Sequence, residues 1–308
     1  MPCSAPVVFL IFRRLELTAR VFEQIKAAQP SKLLVVADGP RSEAERTLCD
    51  QTRAVTEQID WECEVFRNYS EENLGCCRRV ASGLTWAFEQ VEEAIILEDD
   101  CLPHPDFFGF CQTLLNYYRD DDRVWVISGN NFQNGQWRGD GSYYFSKYNH
   151  CWGWATWRKA WQHWEFNPKK WLEFRDSGLM QFVCESSRES AYWTEIFNTL
   201  FLENKLNSWA YPWMFTCWMQ SGLSILPNVN LVSNIGFEAN ATHTQSDSSL
   251  ANLSAGELER ISHPTFILQD KSADLYTFSQ CYQPHQGKLN LLLKRLKSQA
   301  ALLGKLAR

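Results

Sequence analysis

Val7-Val8-Phe9-Leu10-Ile11-Phe12 is an unbroken apolar run, and the chain after it keeps alternating helical stretches with further apolar runs. A strand that is apolar on both faces belongs inside a parallel sheet covered by helices; a half-exposed antiparallel strand alternates polar with apolar instead. Glu16 to Ala28 carries Leu17, Val21 and Ile25 at four-residue spacing and ends near Pro30, and Leu33 to Ala37 is a second buried strand closing on the turn signal Asp38-Gly39-Pro40. Ser42 to Glu57 is helical, Cys63 to Asn68 a third strand, Arg78 to Val91 a helix, and Ala94-Ile95-Ile96-Leu97 a fourth strand. This order predicts an open, mostly parallel α/β sheet flanked by helices, whose ligands bind beyond the carboxyl ends of the strands.

A fifth strand, Val124 to Ser128, ends at Gly129-Asn130-Asn131; the chain then reads as aromatic and loop-rich through Trp171, with helices resuming around Ala191 to Leu206 and Trp213 to Ser221. Twelve of the 14 tryptophans lie between Trp125 and Trp218, a bias that serves either stacking on sugar rings or aromatic packing. Thr244 to Ser254 reads as a mobile loop. Gly287 to Arg308 holds six basic residues and no acid among regularly spaced leucines, the pattern of a basic amphipathic helix. Such a helix either packs with a solvated basic face or makes peripheral contact with an anionic membrane surface.

A net charge of −6 gives no footprint for nucleic acid, so a phosphate-bearing ligand needs local neutralisation by arginine or a metal. The 11 cysteines are odd in number, scattered and without CxxC spacing, and read as reduced thiols. The N-terminus lacks the basic region and apolar length of a signal peptide or membrane span, so a cytoplasmic location is expected.

The chemistry concentrates where the fourth strand ends, on Glu98-Asp99-Asp100. Adjacent carboxylates repel, and one acid would suffice to start a turn; a hard cation resolves the conflict. Mg²⁺ or Mn²⁺ takes one or two protein carboxylates and completes its shell with water and phosphate oxygens. Asp100 is the expected direct ligand, Asp99 faces a ribose or sugar, and Glu98 supports the site from behind. Asp38, also at a strand end, is placed to accept a base N–H, although Asp-Gly-Pro is equally an ordinary turn.

The run from Ala94 to Phe108, an apolar strand, Glu-Asp-Asp and a Pro-Asp-Phe-Phe helix start, resembles the acidic motif of eukaryotic N-acetylglucosaminyltransferase I. The resemblance extends in order to Arg13 or Arg14, Asp38, Trp125 to Ser128 with Asn130-Asn131, and Trp152-Gly153-Trp154, over roughly residues 6 to 160. Pro227 to Phe237 with Ala241 to Thr244 is similar to bacterial family 2-like glycosyltransferases, also labelled hemolytic protein HlpA-like, and that likeness covers nearly the whole chain.

The resemblance implies a GT-A fold over residues 1–244, with a nucleotide-binding half at 1–130 and an acceptor half at 131–244, followed by a loop and basic helix at 245–308. It implies metal-dependent transfer of a sugar from a UDP-sugar donor to a glycan or other hydroxyl acceptor, with inversion and with Mn²⁺ or Mg²⁺ as cofactor. Arg13, Asp38, Arg78, Glu98 and Asp99 would line the donor site, Asp100 would hold the metal, and His243 would join it late in the chain. Trp152, Gly153 and Trp154, with Trp157, would wall the sugar. Glu195, at the start of a helix 95 positions after Asp100, is the expected base; Ala210 departs from the Asp that relatives carry.

Two other classes remain. A sugar-phosphate nucleotidyltransferase combines the same sheet, nucleotide and carboxylate-bound Mg²⁺, but typically opens on a glycine-rich phosphate loop with a basic run, and Val7 to Leu17 contains neither glycine nor lysine. A non-catalytic carbohydrate-binding or membrane-associated protein would not need Glu98-Asp99-Asp100.

Overall fold

In the parallel half of the sheet, successive side chains of each strand feed two separate cores. The computed structural model describes residues 2–205, 207–237 and 252–282. Strands β1 (Val7–Ile11), β2 (Lys32–Ala37), β3 (Glu64–Tyr69) and β4 (Glu93–Glu98) pair in parallel in the order β3-β2-β1-β4. Val7, Phe9 and Ile11 pack with Val21, Phe22 and Ile25 of helix α1 (Leu15–Ala28), whereas Val8 and Leu10 pack with Val80, Leu84 and Ala87 of helix α3 (Cys76–Gln90). The two-residue side-chain period of the strand, met by the helical period on either face, builds this arrangement. Helix α2 (Glu43–Val55) lies against α1. Gln29 stops α1 in the left-handed region, at φ 47°.

The other half departs from an all-parallel sheet. After β5 (Cys101–Pro103), α4 (Pro105–Tyr117) and β6 (Val124–Ser128) come β7 (Tyr143–Ser146) and β8 (Trp154–Trp157), both within the stretch expected to be loop. Strand β8 inserts antiparallel between β4 and β6, and β9 (Leu223–Pro227) and β7 complete an eight-stranded sheet, β3-β2-β1-β4-β8-β6-β9-β7. At four residues each, β7 and β8 are too short to display a period. The expected mostly parallel sheet flanked by helices is present, with its antiparallel pairings confined to this half. Strand β10 (Val232–Asn234) pairs with β5 in a separate two-stranded ladder.

Helices α5 (Arg158–Trp161), α6 (Pro168–Asp176), α7 (Met180–Val183), α8 (Ser187–Phe201) and α9 (Ala210–Met219) gather the aromatic residues. Trp154 stacks on Trp209 at 5.4 Å and 19°, and packs with Trp161 and Trp213; Trp171, Trp193 and Trp218 anchor a third core. The tryptophan bias therefore serves packing at most positions, Trp154 and Trp157 included.

Residues 252–282 pack against the sheet beside β7. Ser142 N donates to Ser262 O at 2.9 Å, Tyr143 Oη lies 2.8 Å from His263 Nδ1, and helix α10 (Lys271–Thr277) contacts β7. His243, residues 244–251 of the expected loop, and the basic stretch at 287–308 lie outside the described residues. No helix among the described residues is long and apolar enough to cross a membrane.

Candidate functional site

Strands β1 and β4 are neighbours with Leu10 opposite Glu98, so the turns that follow them meet. Arg14 Nη1 donates to Asp100 Oδ2 at 2.9 Å, and Arg14 Nη2 pairs with Asp99 Oδ1. The other Asp99 oxygen, Oδ2, is buried with no hydrogen-bond partner. Burial, then repulsion from Asp100 and Asp99, pushes the Glu98 carboxyl above its ordinary range, against the pull of Arg14 and Trp209. Burial also pushes Asp99 up, against Arg14. Burial works against the Arg14 cation too, but Asp99 and Asp100 outweigh it and hold the guanidinium more firmly protonated than usual.

One guanidinium thus faces three carboxylates. An unpartnered buried carboxylate oxygen beside a second carboxylate is a donor set short of positive charge, and it fits a hard divalent cation. Asp100 and Asp99 would hold such an ion. Among the described residues no group of three or more His, Cys, Asp or Glu is placed to hold a metal ion. A Mg²⁺-type site, which keeps water and ligand oxygens, does not require such a group.

The β5–β10 ladder brings a second backbone against the cluster. Ile235 N donates to Asp100 O at 2.9 Å, and a Cβ on Gly236 would lie 2.3 Å from Asp100 Oδ2, so only glycine lets the chain pass there. Asn130 ties this together: its Nδ2 donates to Val232 O at 3.2 Å, and its Oδ1 accepts from Trp152 N at 3.1 Å.

Several expected site residues are occupied elsewhere. Consecutive residues leaving β1 face opposite ways. Arg13 turns to Glu45 at 2.7 Å, and Arg14 takes the place at the cluster. Asp38 is spent on structure: Oδ1 accepts from Gly39 N and Leu74 N, both at 2.9 Å, and Oδ2 from Gly75 N at 3.0 Å and Asn73 Nδ2 at 3.1 Å. These four donors leave it no free lone pair for a base and clamp the loop before α3 to the end of β2. Arg78 is exposed on α3 and lines a groove with Trp86 and Trp164.

Trp152 is half-buried, edge-on to Phe132 and to Phe237, and so borders the segment that covers Asp100. Gly153 has φ 71°, and a Cβ there would lie 2.7 Å from Val232 Cγ2, so its glycine answers packing against β10. Trp154 is core and walls no ligand. Glu195, the expected base, is exposed on α8, and its carbonyl accepts from Thr199 Oγ1 at 2.9 Å. Ala210 begins α9 and packs beside Trp209 against the aromatic core. The part played by Gly236 is not legible in the sequence, where it is one glycine within the run from Pro227 to Phe237.

No family model matches the chain, and no curated protein matches it. Among solved structures it is similar to a cytidylyltransferase from Leptospira borgpetersenii serovar Hardjo-bovis, with 10% identity over 52% of this chain and 63% of that one, at a TM-score of 0.33. It is also similar to the inositol-1-phosphate CTP transferase from T. maritima, with 10% identity over 52% of this chain and 73% of that one, at a TM-score of 0.31. A third is UDP-glucose pyrophosphorylase complexed with UDP-glucose, with 9% identity over 51% of this chain and 78% of that one, at a TM-score of 0.28. The chain spans less than two thirds of the cytidylyltransferase's length. The expectation of sugar transfer from a UDP-sugar to a glycan finds no counterpart among these structures, whose names are those of nucleotidyl-transferring enzymes, the class kept above as the alternative.

Proposed function

We propose that the chain is a metal-assisted nucleotidyltransferase acting on a phosphorylated sugar. The observation that carries the reading is Arg14, a half-buried guanidinium spanning Asp99 and Asp100 where α1 begins. Helix α1 has no side-chain cap, so its first backbone N–H groups are free for an anion. Arg14 and this helix start supply the positive field that a glycine-rich, lysine-bearing loop supplies in other phosphate sites. A divalent cation held by Asp100 and Asp99 would neutralise phosphate oxygens and the charge that develops on the leaving group.

In the proposed reaction an oxygen of the sugar phosphate bonds to the α-phosphorus of a nucleoside triphosphate, the bond to the β-phosphate oxygen breaks, and pyrophosphate departs. The nucleophile is already ionised near neutral pH, so no side chain has to remove a proton from it. The reaction therefore does not call on Glu195, which is exposed on α8. Arg14 would orient the triphosphate, and Glu98 would hold Asp99 and Asp100 in place from the end of β4.

Calorimetric titration of CTP and UTP, with and without Mn²⁺, tests the site; pyrophosphate release in the presence of sugar 1-phosphates tests the reaction. The expected result is binding that tightens at least about tenfold with the metal, equal to about 1.4 kcal/mol, and loses that gain in Asp100→Ala. Binding indifferent to metal and to Asp100→Ala overturns the site. Metal-dependent binding of a UDP-sugar, with sugar transfer and no pyrophosphate from any triphosphate, overturns the reaction.

A further inference from the structure

A groove of about 430 Å³ runs along the outer face of α3, lined by Arg78, Ser82, Thr85, Trp86, Glu89 and Trp164. It shares no residue with the acidic cluster. Arg78 and Glu89 lie 11 positions apart on one helix, about 16 Å at the helical rise per residue. The two indoles, both half-buried, lie between groups of opposite charge and beside two hydroxyl side chains.

The Trp164 indole is fixed before any ligand arrives. Trp164 stacks on Trp161 at 5.7 Å and 16°, and its Nε1 donates to Trp209 O at 3.3 Å. Trp161 Nε1 in turn donates to Thr85 Oγ1 at 3.2 Å. Trp164 is therefore held from two sides, and little side-chain freedom remains to be lost on binding.

We infer that this groove binds a neutral oligosaccharide. Pyranose rings present apolar C–H faces that pack on indoles and an equatorial rim of hydroxyls that pairs with guanidinium, carboxylate and hydroxyl groups, and the lining supplies both in alternation. The mixed charge disfavours a polyanion, and the polar groups interrupt the surface too often for an acyl chain. The length suits several sugar units rather than one. Trp209, whose carbonyl holds Trp164, has its indole beside Glu98, so the groove adjoins the floor of the acidic cluster through one residue. A saccharide bound along α3 would be retained beside the reacting centre without entering it. The inference stands on the groove alone and not on the nucleotidyl reaction.

The test is tryptophan fluorescence of the full chain titrated with maltotetraose, cellotetraose and chitotetraose. The expected result is a saturable change with at least one of them, weakened at least tenfold in Trp86→Ala and in Arg78→Ala. Trp137→Ala, which removes a tryptophan 60% exposed elsewhere on the surface, should bind as the parent does. Arg78 is exposed, so Arg78→Ala keeps the fold and covers the case in which Trp86→Ala does not. No saturable change with any of the three sugars, or a change that persists in the variants that fold, overturns the inference. Nucleotide binding is read separately, so failure of one proposal leaves the other standing.

Discussion

Two groups of buried charge in this molecule are built on opposite principles. In the aromatic half, Lys147 Nζ lies 2.7 Å from Glu189 Oε1 and donates to Val183 O at 2.7 Å, while Glu189 also accepts from Tyr148 Oη and from Glu185 N at 2.7 Å. Asp274 beside them accepts from Ser146 Oγ, from Gln269 Nε2 at 2.7 Å and from Lys147 N at 3.3 Å. Every charge there is answered within the protein. At the end of β4, one arginine answers three carboxylates, and one buried oxygen has no partner. A matched buried charge fixes architecture, whereas a surplus of one sign is tolerable only if something from outside completes it.

The largest expected effect is on the matched side. Glu189→Ala removes the ion-pair partner of the buried Lys147, which costs about 3–5 kcal/mol and lowers the thermal midpoint by about 10 °C. Asp100→Asn relieves repulsion between neighbouring carboxylates, so in metal-free buffer its midpoint should equal or exceed that of the parent. Thermal melts of the two variants side by side check the contrast. A loss in Asp100→Asn as large as in Glu189→Ala would mean that the acidic cluster is also architecture. The same Asp100→Asn protein should lose at least about tenfold of any Mn²⁺-dependent gain in nucleotide affinity, so it separates stability from binding in one sample.

A smaller effect follows from Asp274, which burial pushes up to about 6, against the pull of Ser146 and Gln269. The folded protein therefore binds this proton more tightly than the unfolded chain, where an aspartate titrates near about 4. Its contribution to stability is complete below the unfolded value and is lost as pH rises through the folded one. Between about pH 4 and 6 the parent should lose up to about 2 kcal/mol relative to Asp274→Asn, in which that dependence is absent. Denaturant titrations of both proteins across this window measure the difference. Parallel curves would show that Asp274 stays ionised throughout, matched by Lys147.

The contrast between the halves also explains what could be read from the sequence. Strands β1, β2 and β4 and their helices announce themselves because each strand carries a run apolar on both faces, and Glu98-Asp99-Asp100 stands out at the end of one of them. Strand β8 was illegible: Trp154-Ala155-Thr156-Trp157 is short, and its place between β4 and β6 depends on partners distant in sequence. The distinction between Arg13 and Arg14 depends on which way the chain leaves β1. Asp38 was legible as a strand-end carboxylate, but its four donors come mostly from a loop 35 to 37 positions away. Glu189 is one of two glutamates on α8, and no local pattern marks it as the one that meets a buried lysine. Long-range partnership, which decides whether a charge is matched, is the property that a local pattern encodes least.

The smallest expected effect sharpens that lesson, because it concerns a residue chosen on sequence position alone. Glu195 shares α8 with Glu189, six positions and nearly two turns earlier, yet Glu189 is 1% exposed and Glu195 faces solvent. Glu195→Gln removes a charge that no described ion pair uses, so stability should change by no more than about 0.5 kcal/mol. Nucleotide affinity and its metal dependence should be unchanged, as should any pyrophosphate release. A hundredfold loss of turnover at unchanged affinity would place Glu195 back beside the reacting atoms. Equal behaviour of parent and variant would leave the acidic cluster, with Arg14, as the seat of the chemistry, and α8 as part of the aromatic scaffold whose charges are already spent.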